Sequence, residues 1–208
     1  MTSLKSLQER AYNTAVKMHL ISPFGHYPLY LITKEDGTLD YLHGKWEEYK
    51  YTDKEGKERT RELSKRESLI LGVPIAPECP KGCKVEPVSV LIRSHLSPDA
   101  KRYRSRNGLD MDAREEDNIK RERAIALAIR MNRELDYKSE LPEISVKDSN
   151  RILAASCIVG YENIPSEDEK TFMEFDPNGV EQFLRDFEIA VEQILVFISD
   201  QKKFDTLS

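Results

Sequence analysis

The sequence predicts an α+β fold, with a small β-rich N-terminal half followed by a helical C-terminal half. Strand-like segments with many branched and aromatic residues, such as 16–21 and 88–94, all lie in the first half. Helical spacing of apolar residues dominates the second half, most clearly over 176–204. The length of 208 residues suits a single domain, 1–208, in which strands and helices share one core.

The opening of the chain predicts a structural scaffold. Residues 1–15 are predicted to form a short helix, because apolar residues recur there at intervals of three and four. The stretch MHLISPFGHYPLYLI, residues 18–32, has strand-like flanks around a turn-like Ser-Pro-Phe-Gly centre. Pro28 cannot donate a ladder hydrogen bond, so the second strand starts at Leu29 or lies at a sheet edge. We expect a hairpin or a strand–turn–strand, with Leu20 and Leu29 buried.

Residues 33–87 form a charged and proline-rich excursion within the β-rich part. Residues 46–52 alternate loosely and predict a strand, whereas 57–69, dense in Lys, Arg and Glu, predict a short helix or a mobile loop. Four prolines between positions 74 and 87 predict a loop. The branched residues of VSVLIRS, 88–94, then predict a strand.

The helical part spans 97–204. Ser97 is suited to cap a helix with Pro98 at its first position, and Asn107 and Gly108 can interrupt that helix. Three further helices are predicted: 111–136, with Ile119, Ala126, Ile129 and Leu135 on part of an apolar face; 150–159, ended by Gly160; and 176–204, started by Asp176 and Pro177.

Composition disfavours several classes of function. The formal net charge of −5 disfavours binding to duplex DNA, which requires basic surfaces. No window is apolar enough to cross a bilayer, and the N-terminus lacks the apolar region of a secretory signal, so a cytosolic chain is expected. Three cysteines at sparse spacing imply reduced thiols and no disulfide framework.

No set of residues indicates catalysis, a cofactor or a metal. Cys79 and Cys83 frame CPKGC, but no second pair completes a zinc site, so a turn with two thiols is the favoured interpretation. Cys157 lies among small and apolar residues and is predicted to be a buried, inert thiol. The four histidines show no metal-like spacing, and the nine glycines form no phosphate-binding loop. We therefore expect a protein that is not an enzyme.

The only basic cluster is KRYRSR, residues 101–106. It places four basic side chains around Tyr103, and acidic residues dilute it in the helix that follows. A solvated or partner-facing surface is favoured over nucleic-acid binding, and Arg102 and Arg104 are candidate partner contacts.

Three regions of the chain carry motifs that recur together in one protein family. The first is AVKMHLISPFGHYPLYL and the second is VSVLIRSHLSPDAKRYRSR. The third comprises LAASCIVGYENI, FMEFDPNGVEQFLRDF and AVEQILVFISDQKKF, with an aromatic residue at Tyr161, the pair Gln193-Ile194, and the close from Asp200 to Phe204. In order and spacing these regions resemble tail assembly chaperones of long-tailed bacteriophages. The resemblance covers 15–32, 88–106 and 151–204, and it leaves 33–87 as an inserted segment.

The resemblance implies a protein that acts by binding. Such chaperones hold the long helical tape-measure protein soluble while the tail is built, and they help recruit tail-tube subunits in the host cytoplasm. Ile189 and Phe197 lie off the main apolar line of the last helix, so they either form a second, partner-facing surface or pack under the β-rich half. The candidate partner-binding residues are Phe183, Phe187, Ile189, Ile194, Phe197, Arg102 and Arg104.

Two other functions remain open on the sequence. The chain could be a virion neck or tail accessory protein, with the inserted segment docking on a ring. It could also be a nucleic-acid or zinc-binding regulator that uses KRYRSR and CPKGC. The chaperone hypothesis predicts association with a helical phage partner, or self-association when the chain is alone.

Overall fold

The structure is a computed structural model that describes residues 15–79, 81–166, 171–200 and 204. It confirms the α+β class, with strands mostly in the N-terminal half and helices later. The helix predicted over residues 1–15 falls almost wholly outside the described residues. The described strands are β1 (Val16–His19), β2 (Leu29–Thr33), β3 (Leu39–His43), β4 (Lys45–Trp46), β5 (Tyr49–Thr52), β6 (Glu58–Arg61), β7 (Pro74–Ile75), β8 (Lys84–Pro87), β9 (Ser89–Ile92) and β10 (Ile158–Glu162). The described helices are α1 (Lys65–Leu71), α2 (Pro98–Arg106), α3 (Met111–Met131), α4 (Val146–Cys157), α5 (Val180–Asp186) and α6 (Glu188–Ile198).

Two antiparallel sheets of three strands carry the β part. In the first sheet β9 lies between β1 and β10, and in the second sheet β2 lies between β3 and β8. Strands β4 and β7 form a short ladder, and β5 pairs with β6 as a hairpin. Because β8 runs into β9 with only Val88 between them, the chain passes directly from the second sheet into the first.

The opening stretch is a strand–turn–strand. Its two strands do not form the hairpin that was the alternative, except for pairing next to the turn. Strands β1 and β2 belong to different sheets, and the only described bridge between their flanks pairs Ile21 with Pro28. The scaffold prediction agrees with the burial of Leu20 and Leu29. The N–H of Leu29 donates to Leu20 O at 2.8 Å, and Val88 bonds to both residues at 3.0 Å. These bonds join the two sheets where the chain leaves the turn.

Two predictions for the excursion were wrong in part. Residues 58–61 form strand β6, followed by α1, which starts at a capping box between Ser64 and Glu67. The predicted loop 74–87 contains β7 and β8. Pro87 is compatible with β8 because β8 is an edge strand, where a missing N–H has little cost.

The predicted end of the 150–159 helix was also wrong. Helix α4 ends at Cys157, and Gly160 lies inside β10, next to a register shift between Ile158 and Gly160. A Cβ at Gly160 would lie 2.9 Å from Leu91 Cδ1, so a glycine lets β10 approach β9 without a shift of the Leu91 side chain. Gly160, which suggested a helix end in the sequence, in fact lies at a close contact between two strands.

The predicted helices 111–136 and 176–204 are both shorter than expected. Helix α3 ends at Met131, because Asn132 adopts a left-handed conformation with φ 50°. The last predicted helix is divided into α5 and α6, since Phe187 leaves the helical region with φ −122° and ψ 60°. Helix α5 begins at Val180 after a turn, rather than at Pro177.

The core lies between the sheets and helices α4, α5 and α6. Its most buried members come from the strands and helices alike: Met18, Leu20, Ile21, Leu31, Val90, Ile92, Ala154, Cys157, Leu184, Ile194, Phe197 and Phe204. Helix α3 contributes nothing to this core, because none of its residues is buried. Among the described helices, none combines the length and the apolar character needed to cross a membrane.

Candidate partner-binding surfaces

Helix α3 separates its charged and apolar residues along its length, not around its circumference. Nine of the thirteen residues from 111 to 123 are charged, whereas Ala124–Met131, with the sequence AIALAIRM, contains one charge. We call Ala124–Met131 the arm end. Leu127 and Ile129 are 57% and 76% exposed. Single exposed apolar residues are common, but an exposed helical turn of them indicates a contact surface.

The segment after α3 makes hydrogen bonds to the polar half of that helix. The Tyr137 hydroxyl donates to Asp117 O at 3.1 Å and also to the Asp117 carboxylate. Arg114 Nη2 donates to Pro142 O at 2.7 Å. The segment after Asn132 therefore runs back along the charged residues, and neither half of α3 contains a buried residue.

A second apolar surface is a groove of about 190 Å³ between the second sheet, α5, residues 164–166 and Met173. Its lining is mostly apolar and comes from Leu20, Leu29, Tyr41, Val88, Ile164, Pro165, Met173, Phe183 and Phe187, with Ser166 and Asp186 as polar members. We call this cavity the apolar groove. Backbone bonds fix one wall, because the N–H of Met173 donates to Ile164 O at 2.7 Å.

Aromatic packing supports the floor of the apolar groove. The Tyr161 ring lies 4.8 Å from Phe183 and 5.2 Å from Phe175 between centroids, and Phe183 stacks with Phe187 at 6.1 Å. Burial raises the pKa of Tyr161 to about 12. The floor of the groove is therefore made of aromatic rings, and Asp186 is the charged member of its lining.

The structure separates the candidate residues of the last helix. Phe183 and Phe187 line the apolar groove together. Ile194 and Phe197 are buried in the chain's own core at 0% and 1% exposure, so they present no surface to a partner. Ile189 is half-buried and does not line the groove. Ile189 and Phe197 were the two residues off the main apolar line of the last helix. Of the two alternatives given for them, the structure shows packing under the β-rich half for Phe197.

The basic cluster is not one exposed patch. Arg104 is 4% exposed, and its Nη1 donates to His95 O at 2.8 Å and to Ser156 Oγ at 3.3 Å. Arg102 is exposed and forms an ion pair with Asp99 at 2.7 Å. Arg104 therefore joins α2 to α4 and offers no contact to a partner, whereas Lys101, Arg102 and Arg106 are exposed.

The positions of the cysteines indicate no reactive or metal-binding role. All three cysteines are thiols, and burial raises the pKa of Cys157 to about 11, in agreement with the predicted inert thiol. Cys79 Sγ donates to Cys83 O at 2.9 Å. Within the described residues, no group of three or more His, Cys, Asp or Glu side chains is arranged to hold a metal ion.

Two histidines, which the sequence left without a role, hold the turn of the opening stretch. His26 Nε2 and Ser68 Oγ share a hydrogen bond of 2.7 Å, and His43 Nε2 and Ser22 Oγ share one of 2.9 Å. Ser22 and Ser68 are both buried, so these pairs are structural and not accessible as nucleophiles. They connect the turn to α1 and β3.

Sequence reasoning named Phe183 and Phe187 of the apolar groove but missed the other residues that form the two surfaces. Tyr41 and Met173 complete the apolar groove with Phe183, although they are far apart in sequence. No local signal could have brought them together, because the groove is formed by β3 meeting a later segment. The arm end did have a signal: eight helical residues with one charge directly after a highly charged run.

Comparison with known proteins gives no further assignment: no family description, no characterised protein and no solved structure matches the chain.

Proposed function

We propose that the protein is a phage tail assembly chaperone that binds the tape-measure protein and aids assembly of the tail tube, without catalysis. The proposed place of action is the host cytoplasm. The sequence resemblance supports this function, and the two apolar surfaces offer a physical means for it. A partner helix with apolar stripes would bury its exposed apolar surface by packing against the arm end and the apolar groove.

The segments that carry the resemblance build the frame of the molecule. They supply β1 and β2, then β9 and α2, and finally most of α4 with β10, α5 and α6. The apolar groove draws most of its lining from these segments. The proposal therefore assigns partner binding to surfaces that this frame holds in place.

The single observation that carries the proposal is the exposed arm end. A helix of 21 residues with no buried residue gains little from tertiary packing. Its apolar third would be covered if it packed against another helix. In the absence of a partner we expect the arm end to drive self-association.

Co-expression with the phage tape-measure protein tests the proposal. The unaltered chain should increase the soluble fraction of the tape-measure protein and co-purify with it. Ile129→Glu should weaken this association about tenfold or more, because one covered Ile contributes roughly 1.5–3 kcal/mol. Asn118→Glu is the matched control, since it adds the same charge at an exposed site in the polar half of α3.

The control should bind like the unaltered chain, and both variants should unfold at the same temperature as it does. A tape-measure protein that stays insoluble and unbound in the presence of the chain would refute the proposal. Equal binding by Ile129→Glu and Asn118→Glu would show that the arm end is not a binding surface.

One observation favours a second function, that of a virion neck or tail accessory protein. The β5–β6 hairpin projects with nearly all of its residues exposed, as a docking element on a ring would. Mass spectrometry of purified particles separates the two functions, because a chaperone is absent from the finished virion and a structural component is present.

A further inference from the structure

The only tryptophan of the chain lines the mouth of a separate cavity. This cavity, of about 420 Å³, lies beside the turn of the opening stretch, and we call it the Trp46 pocket. The rings that line it belong to His26, Tyr27 and Trp46, and the carboxylates to Glu47, Glu48 and Glu62, with Lys45 and Leu63 completing the lining. The pocket does not share a residue with the apolar groove.

The Trp46 and Tyr27 rings of the Trp46 pocket are held in place. Trp46 Nε1 donates to His26 O at 3.2 Å, and Gly72 packs so closely that a Cβ there would lie 2.6 Å from Trp46 Cε3. Tyr27 is 49% exposed, and its ring stacks on His43 with centroids 5.7 Å apart. A ligand would therefore meet rings that are already ordered, which lowers the entropic cost of binding.

The carboxylates of the pocket differ from the neighbouring acidic groups. Asp53 and Glu67 are neutralised by Arg59 and Arg61, at 2.6 and 2.5 Å. Among the described residues, the glutamates at positions 47, 48 and 62 have no such ion pair, and all three are exposed. Three carboxylates against the single ammonium of Lys45 leave the pocket with an excess of negative charge.

We propose that the Trp46 pocket binds an arginine side chain presented by a partner polypeptide. A guanidinium stacks on an indole or phenol ring, and the N–H groups at its edge donate to a carboxylate in a bidentate pair. The planar group fits this combination of ring faces and edge carboxylates better than the compact ammonium of lysine does. The proposal does not depend on the identity of the partner or on the chaperone function.

The fluorescence of Trp46 tests the proposal in the unaltered protein. The probe is a short capped peptide that contains two arginines, and the comparison peptide carries citrulline, a neutral analogue of similar shape, at the same positions. At low salt the arginine peptide should change the emission in a saturable way, and its affinity should fall in about 0.3 M salt because the carboxylates are exposed. The citrulline peptide should bind at least about fivefold more weakly.

A pair of charge-matched variants locates the effect. Glu48→Gln with Glu62→Gln should weaken the arginine peptide at least about fivefold, whereas Glu115→Gln with Glu116→Gln, which lie on α3, should leave it unchanged. The absence of a saturable signal, an equal response to the citrulline peptide, or equal weakening by both double variants would each overturn the proposal. Because the peptide comparison uses the unaltered chain, it does not depend on how the variants fold.

Discussion

Gln193 shows how one buried polar side chain can join distant parts of this chain. It is 1% exposed, and its amide pairs with the backbone of Ile21 in both directions, each bond being 2.8 Å long. The Gln193 side chain thereby satisfies both backbone hydrogen-bonding groups of Ile21, as a neighbouring strand would. The resemblance noted in the sequence placed Gln193 at a recurring position, and the structure supplies a physical reason for an amide there.

Replacing Gln193 by Leu should destabilise the protein strongly. The change leaves the N–H and the C=O of Ile21 buried without these partners, and each lost partner costs about 1–3 kcal/mol. We expect the free energy of unfolding to fall by roughly 2–4 kcal/mol in denaturant titrations. Gln182→Leu is the control, because Gln182 is exposed and its side-chain amide donates to the exposed Asp186, so its effect should stay within about 0.5 kcal/mol. Similar losses for both variants would contradict this role of Gln193.

Cys157 should make stability depend on alkaline pH. Its folded-state pKa of about 11 lies above the ordinary value of 9.0 because burial disfavours the thiolate. This contribution is complete below about pH 9, and it is lost as the pH rises toward 11 because the unfolded chain then ionises first. Between pH 8 and about pH 10.5, the unaltered chain should lose roughly 2 kcal/mol more than Cys157→Ala does.

The comparison isolates the thiol, because Tyr103 and Tyr161, whose pKa values are also raised, titrate in both proteins. Chemical denaturation at several pH values provides the measurement. Parallel pH profiles for the two proteins would show that the thiol of Cys157 ionises as readily in the folded state as in the unfolded chain.

At the scale of the element, α2 depends on a buried cap. Ser97 is fully buried, and its Oγ accepts the N–H of Ala100 at 3.2 Å, whereas the cap of α4, Ser145, is exposed. Ser97→Ala should cost about 1–2 kcal/mol of unfolding free energy, and Ser145→Ala about half of that, because water can replace only the exposed cap. Thermal unfolding of the two variants measures the difference, and a larger loss for Ser145→Ala would reverse this order.

Helix α3 illustrates the limit of periodicity arguments at this scale. Apolar residues such as Ile119 and Ile129 suggested an apolar face, but the structure buries neither of them. The property that matters is the change from charged to apolar along the helix, and a search for a face does not detect it. Whether such an end is covered depends on where the rest of the chain goes.

At the scale of the whole molecule, the β5–β6 hairpin should be dispensable for folding. Replacing residues 51–59 by Asn-Gly keeps the pair Lys50–Thr60 and closes the hairpin with a favoured two-residue turn. Because the removed residues are nearly all exposed, the unfolding free energy should change by less than about 1 kcal/mol.

Val90→Ala, in the centre of the first sheet, is the contrasting variant. Val90 is fully buried, and a truncation there should cost about 1–3 kcal/mol. If the hairpin deletion were the more damaging of the two changes in a denaturant titration, the β5–β6 hairpin would have to be part of the folding unit.

The sequence by itself determined the α+β class, the strand at residues 88–94, the cap at Ser97 and the burial of Leu20, Leu29 and Cys157. Each of these depends on local chemistry: branched residues in series, a hydroxyl before a proline, or apolar neighbours along the chain. These local preferences are kept in the fold because no long-range contact overrides them.

Only the tertiary structure decided where β10 lies, why Gly160 is a glycine, and which residues form the apolar groove and the Trp46 pocket. Strand β10 follows α4 directly and pairs with β9, which lies more than sixty positions earlier in the sequence. Pairing between distant strands and the burial of a basic side chain such as Arg104 depend on which surfaces meet. That meeting is set by the packing of the whole chain, because no short stretch of sequence contains both partners of a long-range contact.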